Sequence, residues 1–247
     1  YAADVRGYTS GVVFGYQQPT WLLAFGVYRM PLRASQQALQ WPITLAHEED
    51  LEFDLTLVPE GTVVRFLVYR NVGRMGFYQS AIDAALATHT VPDVSADDAN
   101  GREKHGFGLN LEQPLADDDE TGLFLRLGWN DGRTETFVYT EVDRTASVGV
   151  QISGVHWDRA QDRLGLALAY NGLSSEHRKY LELGGCGFDL CDGALNYGYE
   201  KILETYYRFQ LGPYIQLSPD LQFISNPGYN RDRGPARVIG LRVHASY

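Results

Sequence analysis

Apolar residues recur at every second position through most of the chain. Leu51, Phe53, Leu55 and Leu57 alternate with Glu52, Asp54 and Thr56, and Leu123, Leu125, Leu127 and Trp129 alternate with Phe124, Arg126, Gly128 and Asn130. The same rhythm runs through Leu164, Leu166, Leu168 and Tyr170, and again through Leu203, Thr205, Tyr207, Phe209 and Leu211. A period of two over such lengths predicts strands with one apolar and one polar face. It predicts eleven of them, over 4–16, 20–30, 48–58, 62–72, 103–114, 122–131, 146–156, 162–172, 199–216, 220–226 and 236–247. The one helical candidate, 77–88 (FYQSAIDAALAT), is short and falls inside a connection.

The connections alternate strictly between two lengths. Short turns are expected near QQP (17–19), PEG (59–61), ADDDE (116–120), DRAQD (158–162) and SPD (218–220). Long ones cover 31–47, 73–102, 132–145, 173–198 and 227–235. A β-sandwich has no reason to collect every long loop at one end. A soluble lipocalin-like barrel needs only eight strands and would turn its apolar face inward. A transmembrane β-barrel combines short turns on one side with long loops on the other. The expected fold is therefore all-β: an antiparallel, up-and-down transmembrane β-barrel, with residues 1–247 in a single domain.

Counting back from the end, Tyr247, Ala245, Val243, Leu241 and Ile239 share one strand face, and Arg242, His244 and Ser246 the other. A last strand of this kind resembles the signal by which outer-membrane barrels reach their assembly machinery. Bacterial single-chain barrels close with an even strand number. Eleven strands with the last running inward predict an N-terminally incomplete barrel, whose open edge in lipid would leave costly unpaired backbone groups.

Composition narrows the function. Among 247 residues, 21 Lys and Arg face 31 Asp and Glu, a net charge of -10, which argues against a nucleic-acid partner. No window approaches 18 apolar residues, so no transmembrane helix is predicted. The chain begins at Tyr1 without a charged-then-apolar leader, so a signal peptide is expected to have been removed or to lie in a missing N-terminus. Two Cys are too few for a disulfide scaffold, and their spacing does not suit zinc.

The stretch 121–247 resembles the carbohydrate-selective porins of the OprB type. The matching pieces are TGLFLRLGWNDG (121–132), GVQISGVHWDRAQDRLGLALAYNGLS (149–174), GGCGFDLCDGALNYGYEKILETYYRFQL (184–211) and SPDLQFISNPGYNRDRGPARVIGLRVHASY (218–247). DVRGYTSGVV (4–13), the stretch from Trp21 to Pro31 and GREKHGFGLNLEQ (101–113) are similar more loosely. The Cys pair is a departure from the family's pattern. The resemblance implies a sixteen-stranded outer-membrane channel for sugars, with a lumen narrowed by inward loops. Eleven strands plus five would complete it.

A sugar channel needs charged groups that replace the water on hydroxyls, and aromatic faces for the pyranose ring. The polar faces supply Glu200, Glu204, Tyr206 and Arg208 on one strand, with Arg126, Asn130, Arg242 and His244 on its neighbours and Glu52 and Asp54 further round. Opposed Arg and Glu side chains offer bidentate hydrogen bonding to vicinal hydroxyls, although pairing that merely stiffens the wall explains any single one. Tyr229, Asn230, Arg231, Asp232 and Arg233 form the last long loop, where Arg231 and Arg233 either fold into a constriction or pair locally with Asp232. The candidate pore-lining set is Arg126, Glu200, Glu204, Tyr206, Arg208, Arg231, Arg233 and Arg242.

Trp21, Trp129, Trp157 and the strand-end tyrosines suit interfacial girdles, while Trp41 falls in a loop. Asp93, Ser95 and Asp97 resemble a calcium loop, but Asp98 stands where glycine is required. His47, Glu48, Glu49 and Asp50 enter a strand and split between its faces, and Asp117, Asp118, Asp119 and Glu120 read as a solvated turn. No GxSxG, HExxH or P-loop is present. No enzymatic activity and no cofactor are expected. The expected partners are sugars, outer-membrane lipid, the barrel assembly machinery through the strand ending at Tyr247, and a second copy in a homo-oligomer. The competing readings are a general or ion-preferring porin and an outer-membrane barrel enzyme. Cys186 and Cys191, five apart in an exported loop, are expected to pair.

Overall fold

Eleven antiparallel strands form one sheet in strict sequence order. They are β1 (Gly11–Gln17), β2 (Trp21–Arg29), β3 (His47–Leu57), β4 (Thr62–Met75), β5 (Ala99–Ala116), β6 (Thr121–Asn130), β7 (Arg144–Ser153), β8 (Arg163–Gly172), β9 (Glu200–Leu211), β10 (Ile215–Ser225) and β11 (Ala236–Ala245). This computed structural model describes residues 9–58, 61–138 and 141–246. Tyr247 and the first residues of the expected 4–16 strand lie outside them. β1 and β11 each pair with one neighbour, so the described sheet is open.

The alternation sets the two faces. Phe25, Leu51, Phe66, Phe107, Leu166, Leu203, Phe223 and Leu241 are exposed and share one face through the registers of consecutive strands. A continuous exposed apolar face of this size is the wall of a membrane protein. Aromatic side chains mark both its rims: Tyr16, Trp21, Trp157 and Tyr207 at the short-turn end, Phe107, Trp129 and Tyr170 at the long-loop end.

One turn differs from its expected place. β9 ends at Leu211 and the chain reverses at Gly212–Tyr214, not at SPD (218–220). Gly212 has φ +68, a left-handed conformation that glycine takes freely. Pro219, which lacks the N–H of other residues, sits inside β10. The β9–β10 ladder skips it, passing from Leu217↔Phe209 to Asp220↔Tyr206.

The long connections carry a core of their own. The candidate helix at 77–88 forms as α1 (Tyr78–Thr88), and a second, α2 (Ser175–Glu182), is capped by Ser174, whose side chain accepts from the His177 amide. Tyr78 and Ile82 of α1 pack with Val94, Tyr180 and Leu181 of α2, Leu190 and Tyr229. Cys186 and Cys191 form a disulfide in this assembly.

Candidate channel lining

The face opposite the apolar wall is polar, and the loops fold over its long-loop end. Phe137 of the 131–143 connection is buried with Met30, Met75 and Val138, and a β-carbon on the inward Gly73 of β4 would lie 2.9 Å from its ring. Lys104, inward on β5 and almost fully buried, donates to the Glu135 carbonyl at 3.0 Å. Glu135 in turn accepts from the Gly76 amide at 2.8 Å, and Ser35 donates its amide to the Phe137 carbonyl at 2.8 Å. The inner face is thus narrowed from its long-loop end by a segment pinned to β4 and β5.

Below that segment, three aromatic rings lie on glycines of the neighbouring strand. Tyr69 covers Gly106, Phe124 covers Gly149 and Tyr206 covers Gly165, and a β-carbon on any of these glycines would collide with the ring. Tyr206 also donates its hydroxyl to Gln151 Oε1 at 3.0 Å, fixing the ring flat against the wall.

The charged residues separate into engaged and free groups. Arg65 bridges Glu112 at 2.7 Å and Asp54 at 3.5 Å, and Arg163 pairs with Glu120. Arg126, Arg208 and Arg242 are inward in the register, and among the described residues none has an ion-pair partner. The Arg126 guanidinium lies 5.1 Å from the Phe124 ring centre, and Arg208 Nε is buried without an acceptor. Arg208 and Arg242 line a trough of about 710 Å³ with Glu204, Tyr206, Asp220 and His244. Asp220, read from sequence as part of a turn, is inward on β10 and stands in the same trough as Glu204. The inward carboxylates Asp50 and Glu52 on β3 continue the polar lining away from the trough.

The remaining candidates hold the loops. Glu200 accepts from Asn171 Nδ2 at 3.1 Å and from the Gly228 amide at 2.9 Å, which ties the last long loop to the wall. Arg233 is ion-paired with Asp192, 41 residues away, and Arg231 packs its side chain beside Gly198. Asp93 caps a short turn by accepting from the Ser95 amide at 2.9 Å, and Asp97 pairs with Arg102 at 2.8 Å.

Ser174, His177 and Asp143 come together, yet they are built as a cap. His177 Nδ1 meets Asp143 at 2.9 Å, but Ser174 Oγ donates to the Gly132 carbonyl at 2.8 Å and His177 is wholly buried. Its Nε2 faces Glu141 at 3.9 Å. Burial tends to raise the Asp143 carboxyl, but His177, Lys104 and the Ser174 amide outweigh it and hold it at about 2. Burial raises Glu141, against three amides of the disulfide loop that donate to it at 2.7–3.1 Å. Burial also lifts Glu135 to about 8, with the adjacent Asp98 adding to the shift.

An exposed apolar wall, a polar inner face and long loops folded inward at one end are the parts of a membrane β-barrel wall. Residues 11–247 match the carbohydrate-selective porin, OprB family. The chain belongs to that family. It is similar to a putative porin, QuiX, of Acinetobacter baylyi, 23% identical across 93% of this chain and 53% of QuiX. Porin AaxA of Chlamydia felis is 40% identical over 57% of this chain and 27% of its own length. The chain thus spans about half of QuiX or less of these relatives. Among solved structures, the high-pH structure of Pseudomonas putida OprB superposes with a TM-score of 0.75 at 19% identity, covering 96% of this chain and 58% of that one. The outer-membrane channel DcaP of Acinetobacter baumannii gives 0.59 at 11% identity, over 96% and 62%. This porin is a β-barrel protein of the bacterial outer membrane, and its apolar face is the lipid-facing wall.

Proposed function

We propose that the protein admits mono- or small oligosaccharides by diffusion through a charged, narrowed lumen. The observation that carries this reading is the set of inward guanidiniums, Arg126, Arg208 and Arg242, that no carboxylate neutralises among the described residues. A guanidinium left with free in-plane donors can bind two vicinal hydroxyls at once. Glu204 supplies acceptors from the same trough, and the Tyr206 ring offers an apolar face to a pyranose. Glu200, Arg231 and Arg233 take a different role, holding the last long loop at the entrance.

Open edges in lipid would leave strand N–H and C=O groups unpaired, at several kcal/mol each. We therefore infer that the sheet closes with further strands of the same channel, to sixteen. Outer-membrane lipid surrounds it, the barrel assembly machinery engages its C-terminal strand, and a homo-oligomer is compatible with the outer wall.

The test is single-channel current through the full-length porin in a planar bilayer, titrated with mono- and disaccharides. Sugar block should weaken in Arg126→Ala, Arg208→Ala and Arg242→Ala. Each loses a charge-assisted hydrogen bond of about 1.5–3 kcal/mol at most, softened by water. A wild-type channel that shows no sugar block would leave a general porin, and block unchanged in all three variants would remove the site assignment.

A further inference from the structure

The connection between β2 and β3 has a charge unlike that of the whole chain. Residues 29–46 contain two arginines and no acidic residue, in a protein of net charge -10. At the end of β2, consecutive side chains part: Met30 is buried beneath the inward loop with Phe137, while Arg29, opposite His47, is on the lipid-facing side. The Arg29 guanidinium lies 4.1 Å from the centre of the Trp41 ring. Trp41 therefore stands over the outer wall at the long-loop rim. It is 75% exposed, and Leu32, Ile43 and Leu45 of the same connection are exposed too. His47 Nδ1, 2.8 Å from the Ile43 carbonyl, fixes the segment to the outer side of β3.

The cation–π contact with Trp41 supplies no oxygen acceptor, so the guanidinium N–H groups keep their capacity to donate. Arg29 has no acidic partner among the described residues. Glu49, the outward carboxylate next along β3, is engaged by Arg70 at 3.2 Å and by His47 at 3.5 Å. Val27, opposite Glu49 on the same outward face, links the patch to Phe25 and Leu51 of the lipid-facing wall. An apolar surface topped by an unneutralised cation matches an amphiphile with an anionic head and acyl tails. A neutral sugar would satisfy only the stacking, whereas a phosphate accepts from two guanidinium N–H groups.

We propose that Arg29 and Trp41 form an outward-facing site for the phosphorylated headgroup of an outer-leaflet glycolipid. Its acyl chains lie along Phe25 and Leu51. The site rests on the outer-membrane placement of the wall and is independent of what crosses the lumen.

The test places the full-length porin in phosphatidylcholine nanodiscs doped with diphosphoryl lipid A or with its dephosphorylated form. Lipid retained per protein is read by native mass spectrometry. Wild type should retain the phosphorylated lipid, and Arg29→Gln should retain about tenfold less, the effect of one charge-assisted hydrogen bond. Arg29→Lys, which keeps the charge but loses the fork, should fall between them, and unchanged single-channel conductance certifies that each variant has folded. Equal retention of the two lipid forms would overturn the site. So would an Arg29→Gln variant that matches wild type, including the case where only Trp41→Ala loses lipid and the ring is a plain interfacial anchor.

Discussion

Tyr206 of β9 lies flat across Gly165 of β8, its directly opposed residue, and occupies the space a β-carbon would take. How far the ring stands from the inner face at this level is thus set by the residue beneath it. Gly165→Ala should lift Tyr206 into the lumen, weaken its hydrogen bond to Gln151 and lower single-channel conductance. Adding Tyr206→Ala should restore or exceed the original current. Identical currents in wild type and Gly165→Ala would show that the ring has another place to go.

Arg65 is the inward arginine that holds two carboxylates, Asp54 and Glu112. Arg65→Ala should shift the reversal potential in a salt gradient toward cation selectivity, since both carboxylates then face the lumen with Asp50 and Glu52. Each of these pairs is partly exposed, so stability should change by only about 0–1 kcal/mol. A reversal potential equal to that of wild type would mean that the lumen is lined elsewhere.

The docking of the 131–143 segment should depend on pH through Glu135. Its folded value, about 8, lies above the ordinary 4.5, so the docked state is favoured fully below about 4.5 and loses that advantage as pH rises toward about 8. Hydrogen exchange of Glu135 and Phe137 amides should therefore accelerate across that window, and Glu135→Gln should flatten the dependence. Asp143 works in the opposite sense: its contribution is present above 3.8 and fades as pH falls toward about 2. Exchange that slows as pH climbs, after correction for the intrinsic rate, would contradict the Glu135 assignment.

The Cys186–Cys191 disulfide closes the loop whose amides at 188–190 all donate to Glu141. Replacing both cysteines by serine should cost about 2 kcal/mol of local stability through chain entropy. Limited proteolysis should then cut within 186–191 while the strands stay protected. Thiol labelling of both cysteines in the unreduced, unfolded protein would show that no bond exists.

The strands were legible because a period of two survives local noise: all eleven appear, and Arg126, Glu204, Tyr206, Arg208 and Arg242 fall on the polar face that the alternation assigns them. The β9–β10 turn was misplaced because Pro219 reads as a breaker, although a ladder can pass a proline where its missing donor is not needed. A turn expected at 218–220 takes Asp220 off the strand, where the structure sets it beside Glu204. What alternation cannot carry is any meeting between distant loops. The packing of Phe137 on Gly73, the Arg233–Asp192 pair and the buried His177–Asp143 pair depend on the sheet bringing separate connections to one rim. Arg65, Lys104 and Tyr69 lay within reach of the same alternation and could have been read from it.

The assembly over the entrance joins residues far apart in the chain: Tyr180 accepts from the Val94 amide 86 residues away, and Tyr229 donates to the Glu141 carbonyl 88 residues away. Such contacts form only after the intervening strands have closed the distance, because each long chain loop must first be constrained. The wall therefore precedes its own entrance in time. A sheet whose strands have paired but whose distant connections have not yet met is therefore expected to stand more open at this end than the finished protein.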